Sequence, residues 1–416
     1  MIEKYVCQNG VRIVFEKMPY VRSVAIGLWV GAGSSDELEK EAGIAHFLEH
    51  MLFKGTKTRT ARMIAEQFDQ IGGDINAFTS KEMTCYFTTV LDHHASRALS
   101  ILADMFFNST FAEEEIKKEK MVILDEIATV EDTPDDDVDE RLWSKMYAND
   151  AIGKPVLGHT AAIEKFNEEM IRHFKGRLYT PENLVISIAG NYDERLILLV
   201  ESLFGTFRNE TIPIESEGKK QPIFQSGVTI KTKETEQAHI CMGFPGLAVR
   251  DEKLYDLILL DSIFGGTMSS RLFQEVREER GLAYSVYSYY AAYREAGAFV
   301  IYGGCAPNNL KEMTTTIDGI IERTIYDGFS KNELHNAKEQ LKGGFLLSLE
   351  SSESRMHRNG KNELLLRNHK TIEEVEALIE RVEADDVHKM AQNILSKKHA
   401  VSIIGPELIR KERNGV

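Results

Sequence analysis

The alternation of apolar and polar positions changes period several times along this chain. Residues 11–17 (Val-Arg-Ile-Val-Phe-Glu-Lys) and 22–30 are β-branched and partly alternating, which predicts two strands. Gly31-Ala-Gly33-Ser-Ser-Asp predicts a turn, and a charged stretch at 36–41 leads into residues 43–55, whose pattern is helical. Thr58 is expected to cap a helix over residues 59–71, which Gly72-Gly73 would end. Residues 76–91 predict one long strand or a hairpin. Helices follow at 93–107 and 112–131, the second ended by an acidic, proline-containing stretch at 131–137. A helix at 136–147, a loop at 149–160, a helix at 161–178 and a strand at 184–189 complete the first half.

Residues 208–227 lose periodicity and hold two prolines. The expected division is a first domain at 1–212, a linker at 213–227 and a second domain at 228–416. Past the linker the order of elements recurs. Gly10-Val-Arg-Ile-Val answers Gly227-Val-Thr-Ile-Lys, and the closing strand Leu184-Val-Ile-Ser-Ile-Ala-Gly190 answers Ala400-Val-Ser-Ile-Ile-Gly405. The offsets are 217 and 215 residues, which predicts a duplicated unit. The expected fold class is α+β, with two homologous α/β domains in tandem, each a mostly antiparallel sheet flanked by helices.

The helix at 43–55 carries the chemistry. It reads His46-x-x-Glu49-His50, and positions three and four apart share a helix face. Two His so spaced can chelate Zn²⁺, and a carboxylate beside them can take a proton from water on the metal. Glu49, next to the second His, is better placed as a general base than as a ligand. With 12 His in 416 residues, a chance match somewhere has odds of roughly a few per cent. The flanks Ile44, Phe47, Leu48, Met51, Leu52 and Phe53 are strongly apolar, however. Burying two His and a Glu there without a partner would cost several kcal/mol, roughly, and a metal removes that cost. In the second copy Ile258, Asp261 and Ser262 fall opposite His46, Glu49 and His50, so that half is expected to be metal-free.

A catalytic zinc needs a third protein ligand. Residues 113–132 are crowded with carboxylates, and Glu119 and Glu126, seven apart, lie within about 20° of one helix face. Either could ligate while the other supports it. Spacing alone does not choose.

Composition changes the picture little. The chain is 43% apolar and 28% charged, an ordinary globular balance. Its net charge of −15 argues against nucleic acid or an anionic membrane surface as partner. No signal-peptide pattern or membrane-length apolar run occurs. Cys7, Cys85, Cys241 and Cys305 lie far apart, so reduced, buried thiols and a cytoplasmic setting are expected. Nucleotide-binding glycine motifs and serine or cysteine nucleophile motifs are missing, and the remaining histidines are taken as structural or solvated.

Three segments together resemble the pitrilysin/insulinase-type inverzincin metallopeptidases, in the branch of the mitochondrial processing peptidases and their bacterial relatives. They are His46-Phe-Leu-Glu49-His50-Met-Leu-Phe-Lys-Gly-Thr56, Gly72-Gly73-x-x-Asn76-Ala77-x-Thr79-x-x-Glu82-x-Thr84, and Glu119-Lys-x-Val-Ile-Leu-Asp-Glu126-Ile. The likeness runs from about residue 10 to 405. It implies one Zn²⁺ per chain on His46, His50 and Glu126, with Glu49 as general base and Glu119 as a supporting acid. It further implies that Asn76 and Ala77 lie on an edge strand that pairs with substrate backbone. Arg277 and Tyr284, seven apart in Arg277-Glu-Glu-Arg-Gly-Leu-Ala-Tyr284, match the family's arginine–tyrosine pair. An Arg clamp and a Tyr O–H donor suit peptide hydrolysis. The same resemblance implies a clamshell in which two chains face each other, a homodimer, acting on peptides or unfolded polypeptide. Two other expectations stay open: a non-catalytic binding or assembly subunit of the same fold, and a processing peptidase needing a different partner subunit.

Overall fold

The computed structural model describes residues 2–208 and 221–407. The first half begins β1 (Ile2–Val6), β2 (Arg12–Lys17), β3 (Ser23–Val30), α1 (Ile44–Leu52), α2 (Ala61–Asp69), β4 (Asp74–Thr79) and β5 (Thr84–Leu91). It continues with α3 (Ala95–Asn108), α4 (Glu113–Asp132), α5 (Pro134–Met146), α6 (Thr160–Ile163), α7 (Glu168–Leu178), β6 (Leu184–Gly190) and α8 (Glu194–Phe204). The second half runs β7 (Gly227–Thr232), β8 (Ala238–Pro245), α9 (Leu254–Phe264), a π-helical segment (Phe273–Glu279), β9 (Ala283–Ala292) and β10 (Gly297–Cys305). Then come α10 (Leu310–Asp327), α11 (Lys331–Ser348), α12 (Ser352–Leu365), α13 (Ile372–Arg381), α14 (Ala384–Leu395) and β11 (Ala400–Gly405).

Among the described residues the strands form two sheets, ordered β1-β2-β6-β3-β5-β4 and β7-β11-β8-β10-β9. Leaving out β1, the two orders are the same. In each, one pair is parallel (β2 with β6, β7 with β11) and the other pairings are antiparallel. A packing detail repeats as well. A Cβ on Gly27 of β3 would lie 2.3 Å from Met356 Sδ of α12, and one on Gly243 of β8 would lie 2.3 Å from Met146 Sδ of α5. In both sheets a glycine in a central strand lets a helix carrying a methionine come close. The expected duplication and the two-domain α/β architecture are therefore seen in topology and in packing.

The chain divides into two compact units that interleave along the sequence. One takes the chain up to Ile127, a stretch from Pro155, and Leu347–His369; the other takes Ala128–Lys154, a stretch ending at Leu346, and a stretch from Lys370. This differs from a contiguous division into 1–212 and 228–416, because α5 packs on β11, β8 and β7, and α12 on β3, β6 and β2. An apolar helix face announces that it is buried; it does not announce which sheet buries it. The first unit's core joins β2, β3, β5 and β6 to α1, α3, α7 and α8. Its α12 side is polar in part. Glu363 is fully buried against Lys4 Nζ at 2.9 Å, Arg12 and His369, a charge satisfied on several sides.

Other expectations need correction. Thr60, not Thr58, caps α2 through Met63 N at 3.2 Å, because Thr56 and Thr58 are drawn to Asp104 instead. The helix expected over 161–178 breaks into α6 and α7, where Asn167 caps the second piece through Met170 N. Of the two readings of 76–91, one long strand or a hairpin, the hairpin is found, with β4 antiparallel to β5. Of the expected linker, residues 213–220 lie outside the described residues, and residues 221–226 form neither helix nor strand before β7. All four cysteines are buried and free. No helix of the described residues is long and apolar enough to cross a membrane.

Candidate metal centre

Helix α1 starts at Gly43, whose φ of +93° a glycine adopts without strain and whose Cβ would strike Leu157 O at 2.5 Å. Glu37 caps it from outside the helix: its carboxylate accepts from Gly43 N and Ala45 N, both at 2.8 Å. Those are donors the first turn leaves without partners, and a negative charge suits that end. Ile44, Ala45, Phe47, Leu48, Met51 and Leu52 are buried in the core. The other face presents His46, Glu49 and His50.

The two imidazoles converge. His46 Nε2 and His50 Nε2 lie 3.1 Å apart, and Glu126 Oε2 is 4.0 Å from each. Among the described residues this is the one group of three such side chains whose ligand atoms all lie within 4.8 Å. Glu126 comes from α4, where Ile116, Glu119 and Ile123 are buried at the preceding positions of the same face. Glu119 has turned instead to the far side of His50, where its Oε1 is 2.7 Å from Nδ1. Its Oε2 meets Lys54 Nζ at 2.6 Å. A carboxylate on Nδ1 fixes the tautomer in which Nε2 keeps its lone pair for a metal. Burial, then the neighbouring His50, holds His46 down at about 4, so its imidazole is neutral at physiological pH. Burial also pulls His50 down, but the hydrogen bond it donates to Glu119 and the charge of Glu126 outweigh it and leave the group raised. Two nitrogen donors and a carboxylate oxygen, 40% exposed at Glu126, suit zinc with a coordination position left open.

Glu49 is buried beside this cluster, and burial raises its carboxyl while a hydrogen bond from Thr79 opposes the rise. Thr79 Oγ1 donates to Glu49 Oε2. Thr79 ends β4, the edge strand of its sheet, which among the described residues pairs only with β5. Asn76 and Ala77 sit on the same strand, and Asn76 Oδ1 accepts from Ala77 N at 2.8 Å. The sequence-predicted residues His46, Glu49, His50, Glu119 and Glu126 are thus brought together, with Asn76 and Ala77 on the adjoining strand.

Arg277 and Tyr284 belong to the other unit. Arg277 lies in the π-helical segment, its guanidinium 5.0 Å from the Tyr284 ring centre and 4.7 Å from that of Phe273. Tyr284 is 77% exposed, as open to solvent as Tyr20 and Tyr326. In α9, Ile258, Asp261 and Ser262 form no ligand cluster. Asp261 accepts from Ser288 Oγ at 2.6 Å, and burial pushes its carboxyl up to about 7.

Sequence reasoning missed Glu37, Lys54 and Thr79. Lys54 and Thr79 stand inside the motifs already singled out, and Lys54 lies two residues past the end of α1, where the chain turns back beside His50. Glu37 carried no signal beyond preceding the helix.

Comparison with known proteins follows the same lines. Residues 12–160 match the family described as Insulinase (Peptidase family M16), and residues 165–341 match that described as Peptidase M16 inactive domain. A Bacillus subtilis (strain 168) protein named uncharacterized zinc protease YmxG is 50% identical over 406 residues, covering 98% of each chain. A Streptomyces coelicolor protein, also named an uncharacterized zinc protease, is 38% identical over 404 residues, 96% of this chain and 88% of its own. Among solved structures, a protease from Helicobacter pylori superposes with a TM-score of 0.91 at 20% identity, covering 98% of this chain and 99% of its own. A Pseudomonas fluorescens structure described as a peptidase M16 inactive domain gives 0.90 at 20% identity, covering 97% and 98%. At that identity the two structures speak to the fold.

Proposed function

Because the chain belongs to the insulinase (M16) peptidase family, we propose that it is a zinc-dependent endopeptidase that hydrolyses peptides held in extended form. The observation that carries this reading is the convergence of His46, His50 and Glu126 on one point, with Glu49 beside it. His46, His50 and Glu126 would hold one zinc ion per chain, which would supply a Lewis acid for the scissile carbonyl and for water.

The chain's own groups do the rest. Glu49 takes a proton from the attacking water and delivers it to the leaving amine as the C–N bond breaks. Its raised carboxyl suits a group that must both accept and release a proton. Glu119 holds His50 in the ligating tautomer. The open edge of β4, at Asn76 and Ala77, accepts peptide backbone as an added strand, which binds extended chains with little demand on their side chains. Arg277 and Tyr284 are proposed as substrate donors, the first to backbone carbonyls and the second to the developing oxyanion; the stacking of the guanidinium on the Tyr284 ring supports their acting as a pair. The second half of the chain is proposed to be metal-free, in keeping with Ile258, Asp261 and Ser262.

Zinc analysis of the purified chain, with cleavage of a quenched fluorescent peptide before and after chelation, tests the reading. About one zinc per chain and chelator-sensitive, zinc-restored cleavage are expected. A zinc-loaded chain that cleaves nothing in a varied peptide mixture would reduce it to a binding subunit. The active form is proposed to be a homodimer, and native mass measured together with activity tests that against a need for a different partner subunit.

A further inference from the structure

The base proposed above depends on the strand proposed to receive the substrate. On β4, Ala77 and Thr79 share one face and Asn76 and Phe78 the other. Ala77 packs against the core that contains α1, whereas Phe78 meets Trp29, Phe87 and His357. Thr79 therefore faces α1, and its hydroxyl donates to Glu49 Oε2. Thr84, its partner across the hairpin, donates its own hydroxyl to Ala32 O at 2.9 Å. The two threonine oxygens are 3.5 Å apart, at the limit of hydrogen bonding. With Thr84 committed to Ala32, Glu49 is the acceptor within good reach of the Thr79 proton.

We propose that Thr79 is the positioning residue for Glu49, and that the last residue of the substrate-binding edge strand sets the angle of the base. Its hydroxyl fixes one carboxylate oxygen and leaves the other for proton transfer. A peptide added along β4 is then registered by the same strand that holds the base, so scissile bond and base share one frame. Such alignment matters because catalytic groups work only within narrow limits of distance and angle. The inference rests on the peptidase reading.

Thr79→Val keeps the β-branched shape and removes the hydroxyl; Thr79→Ser keeps the hydroxyl. With the quenched peptide, Thr79→Val is expected to lower kcat about 10- to 100-fold, the worth of one hydrogen bond to a charged group. KM should stay within about twofold and zinc content should not change, since the ligands are untouched. Thr79→Ser should restore most of kcat. A Thr79→Val chain with undiminished kcat, a change confined to KM, or failure of Thr79→Ser to restore turnover would each overturn the proposal. Glu49→Gln, measured alongside, separates the two levels: an active Glu49→Gln chain removes the base and this inference with it, whereas an inactive one beside a fully active Thr79→Val chain removes Thr79 alone. Crystal structures of the unmodified and Thr79→Val chains decide the geometry without any activity. The Glu49 carboxylate should swing away from its present position, and an unmoved carboxylate counts against the proposal.

Discussion

Glu119 and His50 form a pair in which the acid grips the side of the imidazole facing away from the proposed metal, with 2.7 Å between Oε1 and Nδ1. Lys54 extends the chain of contacts by binding the other oxygen at 2.6 Å. Burial pushes Glu119 up, but the hydrogen bonds from His50 and Lys54 win and leave it below the usual carboxylate range. Glu119→Gln should keep the fold and weaken zinc binding about 10- to 100-fold, the usual loss when a ligand's outer partner goes. Lys54→Met should weaken it less. Competition against a chromogenic chelator measures both, and zinc affinity unchanged in Glu119→Gln would remove the supporting role.

Replacing Glu49 by Gln keeps its volume and its ability to accept from Thr79 while removing proton transfer. The variant should bind zinc as the unmodified chain does and lose about 10²- to 10⁴-fold in kcat. His46→Ala should lose zinc and activity together. Metal analysis beside initial rates distinguishes the two, and near-normal cleavage by zinc-loaded Glu49→Gln would leave the reaction without its base.

Much of this site was legible because it is local. His46, Glu49 and His50 share a helix face by spacing alone, and the repeated strands at Gly10 and Gly227 reported a duplication that the two sheets reproduce. The choice between Glu119 and Glu126 was not legible from spacing, since both lie on the buried side of α4. It depends on how that helix is rotated against His50, a tertiary fact. Thr60 outcompeted Thr58 as a cap because Asp104, 46 residues away, engages Thr58. The exchange of α5 and α12 between the two units was equally hidden. Each helix has an apolar face suited to a sheet, and the two sheets are built alike.

That likeness yields a stability prediction. Gly27→Ala puts a Cβ 2.3 Å from Met356 Sδ and 2.8 Å from Trp29 Nε1, so α12 must shift or the side chains must leave their preferred rotamers. Overpacking of this kind costs about 1–3 kcal/mol. The double variant Gly27→Ala/Met356→Ala should be less destabilised than the sum of the singles, because the second change removes what the first collides with. Gly243→Ala should behave in the same way through Met146 and Leu142. Thermal and denaturant midpoints give the numbers, and strict additivity would mean that the close approach carries no strain.

Asp261 gives a prediction in pH. In the sequence it falls opposite Glu49 of the first copy, and burial, only partly offset by the hydroxyl of Ser288, raises its carboxyl from an ordinary 3.8 to about 7. Between those values the folded chain holds a proton that the unfolded chain has released. The group's contribution to stability is therefore complete below about pH 4, is lost as pH rises toward 7, and stays lost above it. Asp261→Asn still offers an oxygen to Ser288 and never ionises. Relative to the unmodified chain it should be nearly neutral at pH 4 and more stable at pH 8, by on the order of 1–3 kcal/mol after allowance for partial exposure. Urea unfolding at pH 4.5, 6 and 8 follows the difference, which must grow across that window. A constant offset at all three values would show that Asp261 does not carry the shifted proton.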